Sequence, residues 1–170
     1  AMKFMPTGGI NEKNLLSYLD FPKIVACGGS WMVSDKLINA GEFDKIRDMT
    51  AEAVNMMLGF ELGHIGINAT SEAEAGGIAD AFCNVFGFVK KDGNSSIFAG
   101  SGVEVMKQPY LGAKGHIAIR TNYIERAIWH LEQRGMVFDE DTAKYDKKGV
   151  LKAIYSKDEI GGFAVHLVQK

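Results

Sequence analysis

Two short segments of this chain repeat each other. Gly63-His64-Ile65-Gly66-Ile67 returns 52 residues later as Gly115-His116-Ile117-Ala118-Ile119. Each copy alternates polar or small residues with isoleucine, the period of a strand with one buried face. Each leads into a helical pattern: Ile78, Ala79, Phe82, Val85 and Phe86 in the first copy, and Ile124, Ala127, Ile128 and Leu131 in the second. Gly87 and Gly135 are placed to end these helices. Three strand-like runs follow each helix: Phe88 to Lys91, Ser96 to Ala99 and Val103 to Lys107, then Val137 to Asp139, Val150 to Ser156 and Phe163 to Gln169. The pattern predicts a duplicated βαβββ unit of α+β class, with modules over 60–112 and 113–170 and a domain boundary near residue 59.

The duplication gives weight to four polar side chains. His64 and His116 lie on the first strand of each module, opposite in face to the neighbouring isoleucines. Glu104, between Val103 and Val105, and His166, between Val165 and Leu167, lie on the last strands. If first and last strands pair, each module supplies half of a four-ligand site. Imidazole nitrogen and carboxylate oxygen suit Zn, Ni, Fe or Mn. An ionised Glu on an apolar strand is costly unless paired, and a divalent cation provides that pairing. A lone His on such a strand is more commonly a hydrogen-bonded core residue. Here three of the four His fall at repeat-equivalent positions. His130 sits at the edge of the second helical stripe and is read as a partly exposed residue with no role.

GHIGIN, the helix ending FGF, GVEVM, GHIAI and AVHLV together resemble the vicinal oxygen chelate superfamily of glyoxalase I, bleomycin-resistance proteins and extradiol dioxygenases. The resemblance implies metal ligands at His64, Glu104, His116 and His166. It also marks a departure, because glyoxalase-type members carry at the last position a Glu that doubles as the proton-shuttling base. A metal-bound His lacks the lone pair for that task. The implied activity is therefore either a metal-dependent, glyoxalase-like isomerase or lyase reaction, or non-catalytic binding or oligomerisation without metal.

The first part of the chain reads differently. Met2 to Met5 and Lys23 to Cys27 are apolar runs, each followed by a glycine-rich turn: Pro6-Thr7-Gly8-Gly9-Ile10 and Gly28-Gly29-Ser30-Trp31. Asn11 can cap a helix carrying Leu15, Leu16 and Leu19, and a longer helical pattern runs from Phe43 to Met57 before Gly59. Such turns offer backbone N–H groups to an anion where they open a helix. KFMPTGGIN, VACGGSW and NAGEFDKI resemble the last two βα units of the (β/α)8 barrel of aldolases acting on 2-keto-3-deoxy-6-phosphogluconate and 4-hydroxy-2-oxoglutarate. The resemblance covers residues 2–56. It implies phosphate-binding roles for Gly8, Gly9, Gly28, Gly29 and Ser30, with Thr7 facing substrate. The family's Schiff-base lysine lies on the strand before PTGG, so residues 1–58 are expected to be an incomplete barrel end without aldolase activity. The exposed barrel faces are expected to be covered by the second domain or by a further copy, which points to a homo-oligomer.

Nineteen Lys and Arg against 21 Asp and Glu give a net charge of −2, with no basic block, which argues against nucleic acid as a partner. No apolar run approaches a membrane span, and Cys27 and Cys83 in apolar settings fit buried thiols in a reducing cytoplasm. The expected ligand is a small keto acid or sugar acid.

Overall fold

The computed structural model describes residues 2–170, which divide into two compact units between Gly59 and Phe60. In the first, α1 (Leu15–Leu19), a single 3-10 turn (Ser30–Met32), α2 (Asp35–Asn39) and α3 (Phe43–Leu58) follow one another. The two apolar runs expected as strands lie side by side but form only one parallel bridge, Phe4 to Ile24. It is held by Phe4 N–H donating to the Lys23 carbonyl at 2.8 Å and Val25 N–H donating to that of Phe4 at 3.1 Å. A parallel pair with no third strand among the described residues gains too few hydrogen bonds to extend further. Asn11 caps a turn rather than the helix itself, its Oδ1 accepting from Lys13 N–H at 2.9 Å. Helix α1 starts three residues beyond that turn's centre and buries Leu15 and Leu19. The long helix α3 ends as expected on Gly59, whose φ of 56° is the left-handed conformation that glycine tolerates.

The second unit holds β1 (Glu61–Asn68), α4 (Glu72–Phe86), β2 (Lys90–Asp92), β3 (Ser96–Ala99) and β4 (Val103–Met106), then β5 (His116–Thr121), α5 (Ile124–Glu132), β6 (Phe138–Tyr145), β7 (Leu151–Ser156) and β8 (Ala164–Gln169). This is βαβββ twice. One eight-stranded sheet runs β2-β3-β4-β1-β5-β8-β7-β6. Within each module the first strand pairs in parallel with the last, β1 with β4 and β5 with β8. The modules join through their first strands, which pair antiparallel. This paired βαβββ architecture is the vicinal oxygen chelate fold.

Helix α4 starts on a side-chain cap: Ser71 Oγ accepts from Glu74 N–H at 3.2 Å, and Glu74 Oε2 reaches one residue past the cap to accept from Thr70 N–H at 2.7 Å. Its Ala75 and Ala79 bring it close to Ile67, Ile97 and Val105, the core of the first module. Two expectations fail at the margins of that core. Val85 and Phe86 end the predicted stripe but are exposed, because the last turn of α4 has passed the core; Phe86 stacks instead on Phe82 and Phe88. Ile65, on the strand face expected to be buried, is also 42% exposed. Helix α5 is short and stops at Glu132, so Gly135, at φ 87°, turns the chain after the helix has ended.

Candidate metal centre

Helices α4 and α5 contact β3, β4, β7 and β8, and residues at the alternate positions of the central strands face the other way. The register brings the four polar residues together. Glu104 is level with Gly66, and Gly66 is level with His116. One step along, His64 is level with Ala118, and Ala118 with His166. Each ligand-type side chain is thus flanked across the ladder by a residue with almost no side chain. Gly66 and Ala118 are repeat equivalents, and they make the room in which three imidazoles and a carboxylate meet.

Three donor atoms converge. His64 Nε2 lies 2.9 Å and His116 Nε2 3.1 Å from Glu104 Oε2, and the two nitrogens are 3.3 Å apart. Donors bonded to a cation at about 2.0–2.2 Å stand roughly 2.8–3.6 Å from one another in octahedral or tetrahedral coordination, so this triangle has the right size. His166 joins the group, with one nitrogen from each of the three His within 4.8 Å of the others. Both of its ring nitrogens are buried without a hydrogen-bond partner among the described residues. A buried imidazole with two idle nitrogens is an unsatisfied polar group, and a cation would engage the one that carries the lone pair. The donor set therefore fits a divalent metal.

The electrostatics agree. Burial pushes the Glu104 carboxyl upward, but hydrogen bonds with His116, His64 and Ser96 outweigh it and hold the group well below the usual carboxylate range. Ser96 Oγ donates to Oε1 at 2.6 Å, leaving Oε2 to the imidazoles. His166 is pushed down to about 3, first by burial and then by the neighbouring His116 and His64. It is neutral at pH 7, the form in which imidazole binds metal. Burial raises the Tyr155 phenol, which stays protonated.

Sequence reading missed the ring of supporting residues. Tyr155 lies flat on His166, with ring centroids 4.4 Å apart and planes 7° from parallel. Phe98 meets His64 edge-on at 5.5 Å. The two are related by the duplication, since Phe98 is level with Glu104 and Tyr155 with His166. Carrying the alternation of the first and last strands into β3 and β7 would have found both. His130 is half-buried, 3.3 Å from Arg134 through Nδ1, and is far along α5 from this cluster in sequence.

The glycine-rich turns of the first unit also come together. Gly28 N–H donates to the Pro6 carbonyl at 2.8 Å, and a Cβ on Gly28 would stand 3.1 Å from Thr7 Cγ2. Gly8 and Gly9 adopt positive φ of 82° and 71°. The N–H groups of Gly8, Gly9, Gly29 and Ser30 donate no hydrogen bond among the described residues. The expected helix N-termini are not there, however. Five residues separate Gly9 from α1, and Gly28-Gly29 leads into a single 3-10 turn. The polar Asn11 and Asn14 explain the delay in the first case, because their side chains bond to nearby backbone and hold a turn.

Residues 60–170 thus combine the paired βαβββ fold with a histidine-rich cluster on one face of its sheet. The segment before them is of another kind: residues 1–49 match the family model described as KDPG and KHG aldolase. The 2-dehydro-3-deoxy-phosphogluconate aldolase of Treponema pallidum is 40% identical over 57 residues, which are 34% of this chain and 27% of the relative. That of Haemophilus influenzae is 45% identical over 56 residues, 33% of this chain and 26% of the relative. The chain thus spans about a quarter of the length of the curated relatives it matches. Among solved structures, a hypothetical protein of Bacillus halodurans aligns over 65% of this chain and 94% of its own, with 17% identity and a TM-score of 0.47. Methylmalonyl-CoA epimerase of Mycobacterium tuberculosis aligns over 66% and 89%, with 13% identity and a TM-score of 0.45. No helix among the described residues is long and apolar enough to cross a membrane.

Proposed function

We propose that residues 60–170 bind a divalent cation and, on it, a small keto acid or sugar acid, in a chain whose first segment derives from a keto-acid-sugar lyase. The convergence of His64 Nε2, His116 Nε2 and Glu104 Oε2, at 2.9–3.3 Å from one another, carries this reading. His64, Glu104, His116 and His166 would hold Zn, Ni, Fe or Mn, which when bound supplies Lewis-acid polarisation of a carbonyl or enediolate oxygen. The chain's own residues prepare the place. Ser96 fixes the rotation of the Glu104 carboxylate, Tyr155 and Phe98 fix the rings of His166 and His64, and burial keeps His166 neutral. The chemistry that suits such a site is isomerisation or epimerisation next to a carbonyl. In the first unit, Thr7, Gly8, Gly9, Gly28, Gly29 and Ser30 are read as phosphate-binding turns inherited from the aldolase, without aldolase activity.

A metal-free binding or oligomerising module is the second reading, favoured by one observation: Glu104 already has Ser96, His64 and His116 as partners. Elemental analysis of the purified chain separates the two. The first expects one equivalent of a single divalent metal, lost in His166→Ala and Glu104→Ala. A chain that stays metal-free after growth with each of the four metals, and after incubation with them, overturns it.

A further inference from the structure

The motif Gly63-His64-Ile65-Gly66 contains two glycines, and the metal cluster uses only the second. The first lies at a β-bulge, where the pairing of β1 with β5 shifts between Leu62 and His64. Bulges at functional sites re-aim side chains. A Cβ on Gly63 would stand 3.3 Å from Ala118 Cβ and 3.1 Å from Arg120 Cγ. Gly63 therefore faces the same side of the sheet as Ala118, and the stem of Arg120 lies over it. Arg120, Ala118 and His116 alternate along β5 and share the cluster's face.

Arg120 is half-buried, yet its guanidinium makes no hydrogen bond or ion pair among the described residues. The obvious partner is Glu61, directly opposite on β1. Its carboxylate is engaged elsewhere, 3.2 Å from Lys170 Nζ. A planar fork of five donors on the cluster's face of the sheet, its stem packed over Gly63 and with no counter-ion among the described residues, is suited to a carboxylate. The position also sets a length. Arg120 lies two residues, roughly 7 Å along the strand, beyond Ala118, which is level with His64 and His166.

We propose that Arg120 anchors a carboxylate of the ligand remote from the oxygens that face His64, Glu104, His116 and His166. The ligand class is then a short acid with a 2-oxo or 2-hydroxy group at one end and a second carboxylate at the other. This rests on the reading of the cluster as a ligand-binding centre and adds the residue that selects the acid. Gly63 is the floor that lets the anchor lie flat, as Gly66 is the floor for His116.

The test uses the full chain, 2-oxoglutarate and its neutral dimethyl ester, with binding followed by calorimetry and metal content measured in parallel. Wild-type protein should bind 2-oxoglutarate and not the ester. Arg120→Gln should weaken binding at least tenfold, Arg120→Lys should retain part of it, and all three proteins should carry the same metal. Should the Gln variant fold poorly, Arg120→Lys and the acid-against-ester comparison decide. Equal binding by wild type and Arg120→Gln, or no binding of 2-oxoglutarate by wild type, overturns the anchor while leaving the metal result as it stands. Arg120-dependent binding by a chain that takes up no metal upholds the anchor and removes the metal reading.

Discussion

The ring of His116 lies across the backbone of Gly66, in the space where a side chain at residue 66 would begin. The two residues are level on adjacent antiparallel strands, and a Cβ at 66 would overlap the imidazole at Cε1, Nδ1 and Nε2. His116 is 1% exposed and packed against Tyr155, so it has little freedom to yield.

Gly66→Ala is therefore expected to displace the His116 ring. Overpacking of this kind costs about 1–3 kcal/mol, and the donor triangle opens, so metal content should fall with stability. Ala118→Gly, at the equivalent place in the second module, takes a methyl away rather than adding one. It should cost about 0.5–1 kcal/mol, as glycine within a strand does, and keep the metal. Thermal melts with elemental analysis of both variants check the contrast, and equal metal loss in the two would refute it.

Ser96 acts on the centre through Glu104 alone. Its Oγ donates to Oε1 at 2.6 Å and so leaves Oε2 facing His64 and His116. Ser96→Ala should cost about 1 kcal/mol of stability for a lost hydrogen bond to a charged group that keeps other partners. Outer partners of metal ligands are worth roughly 10–100-fold in affinity. Competition with a chromogenic chelator should show a loss in that range, and unchanged affinity would show that the carboxylate is oriented by the imidazoles alone.

Much of this arrangement is legible in the chain itself, and the limit of legibility has a physical cause. His64 with His116, and Glu104 with His166, stand out because a duplicated strand pattern repeats its polar interruptions. Topology then follows, because a βαβββ unit must pair its first and last strands to place both on one face. Register does not follow from pattern. That Gly66 is level with both Glu104 and His116 depends on how strands 38 and 50 residues apart align. The bulge at Gly63 and the stem of Arg120 lying over it depend on it too. Val85 and Phe86 fail for a different reason: periodicity reports the face of a helix but not where the core beneath it stops. The strands of the first unit shrink to a bridge because strand propensity alone does not supply neighbours.

The pH response of the metal-free chain has a definite sign. His166 is pushed down to about 3 in the folded state from 6.5. Between those values the unfolded chain binds the proton and the folded chain does not, so stability rises with pH across the window. The stability is fully present above 6.5 and lost as pH falls toward 3. Glu104, lowered from 4.5, adds in the same direction below that value. Chelator-treated protein should show a melting temperature that declines from pH 7 to 5 and more steeply below 4.5. His166→Asn should flatten the upper part of the curve, and a flat wild-type profile between pH 7 and 5 would mean that the buried ring accepts a proton without penalty.

The first unit is expected to lack the chemistry of its relatives. A Schiff-base lysine must be neutral to attack a carbonyl, and enzymes arrange this by desolvating the amine or placing it beside another cation. Lys3, Lys13, Lys23, Lys36 and Lys45 are all exposed to solvent. Incubation of the chain with 2-keto-3-deoxy-6-phosphogluconate should release no pyruvate. Borohydride reduction in the presence of pyruvate should leave the mass of residues 1–59 unchanged after proteolysis. Sustained pyruvate release, with a reduced adduct on one of those lysines, would show that an exposed amine in this unit is activated by a route that burial does not reveal.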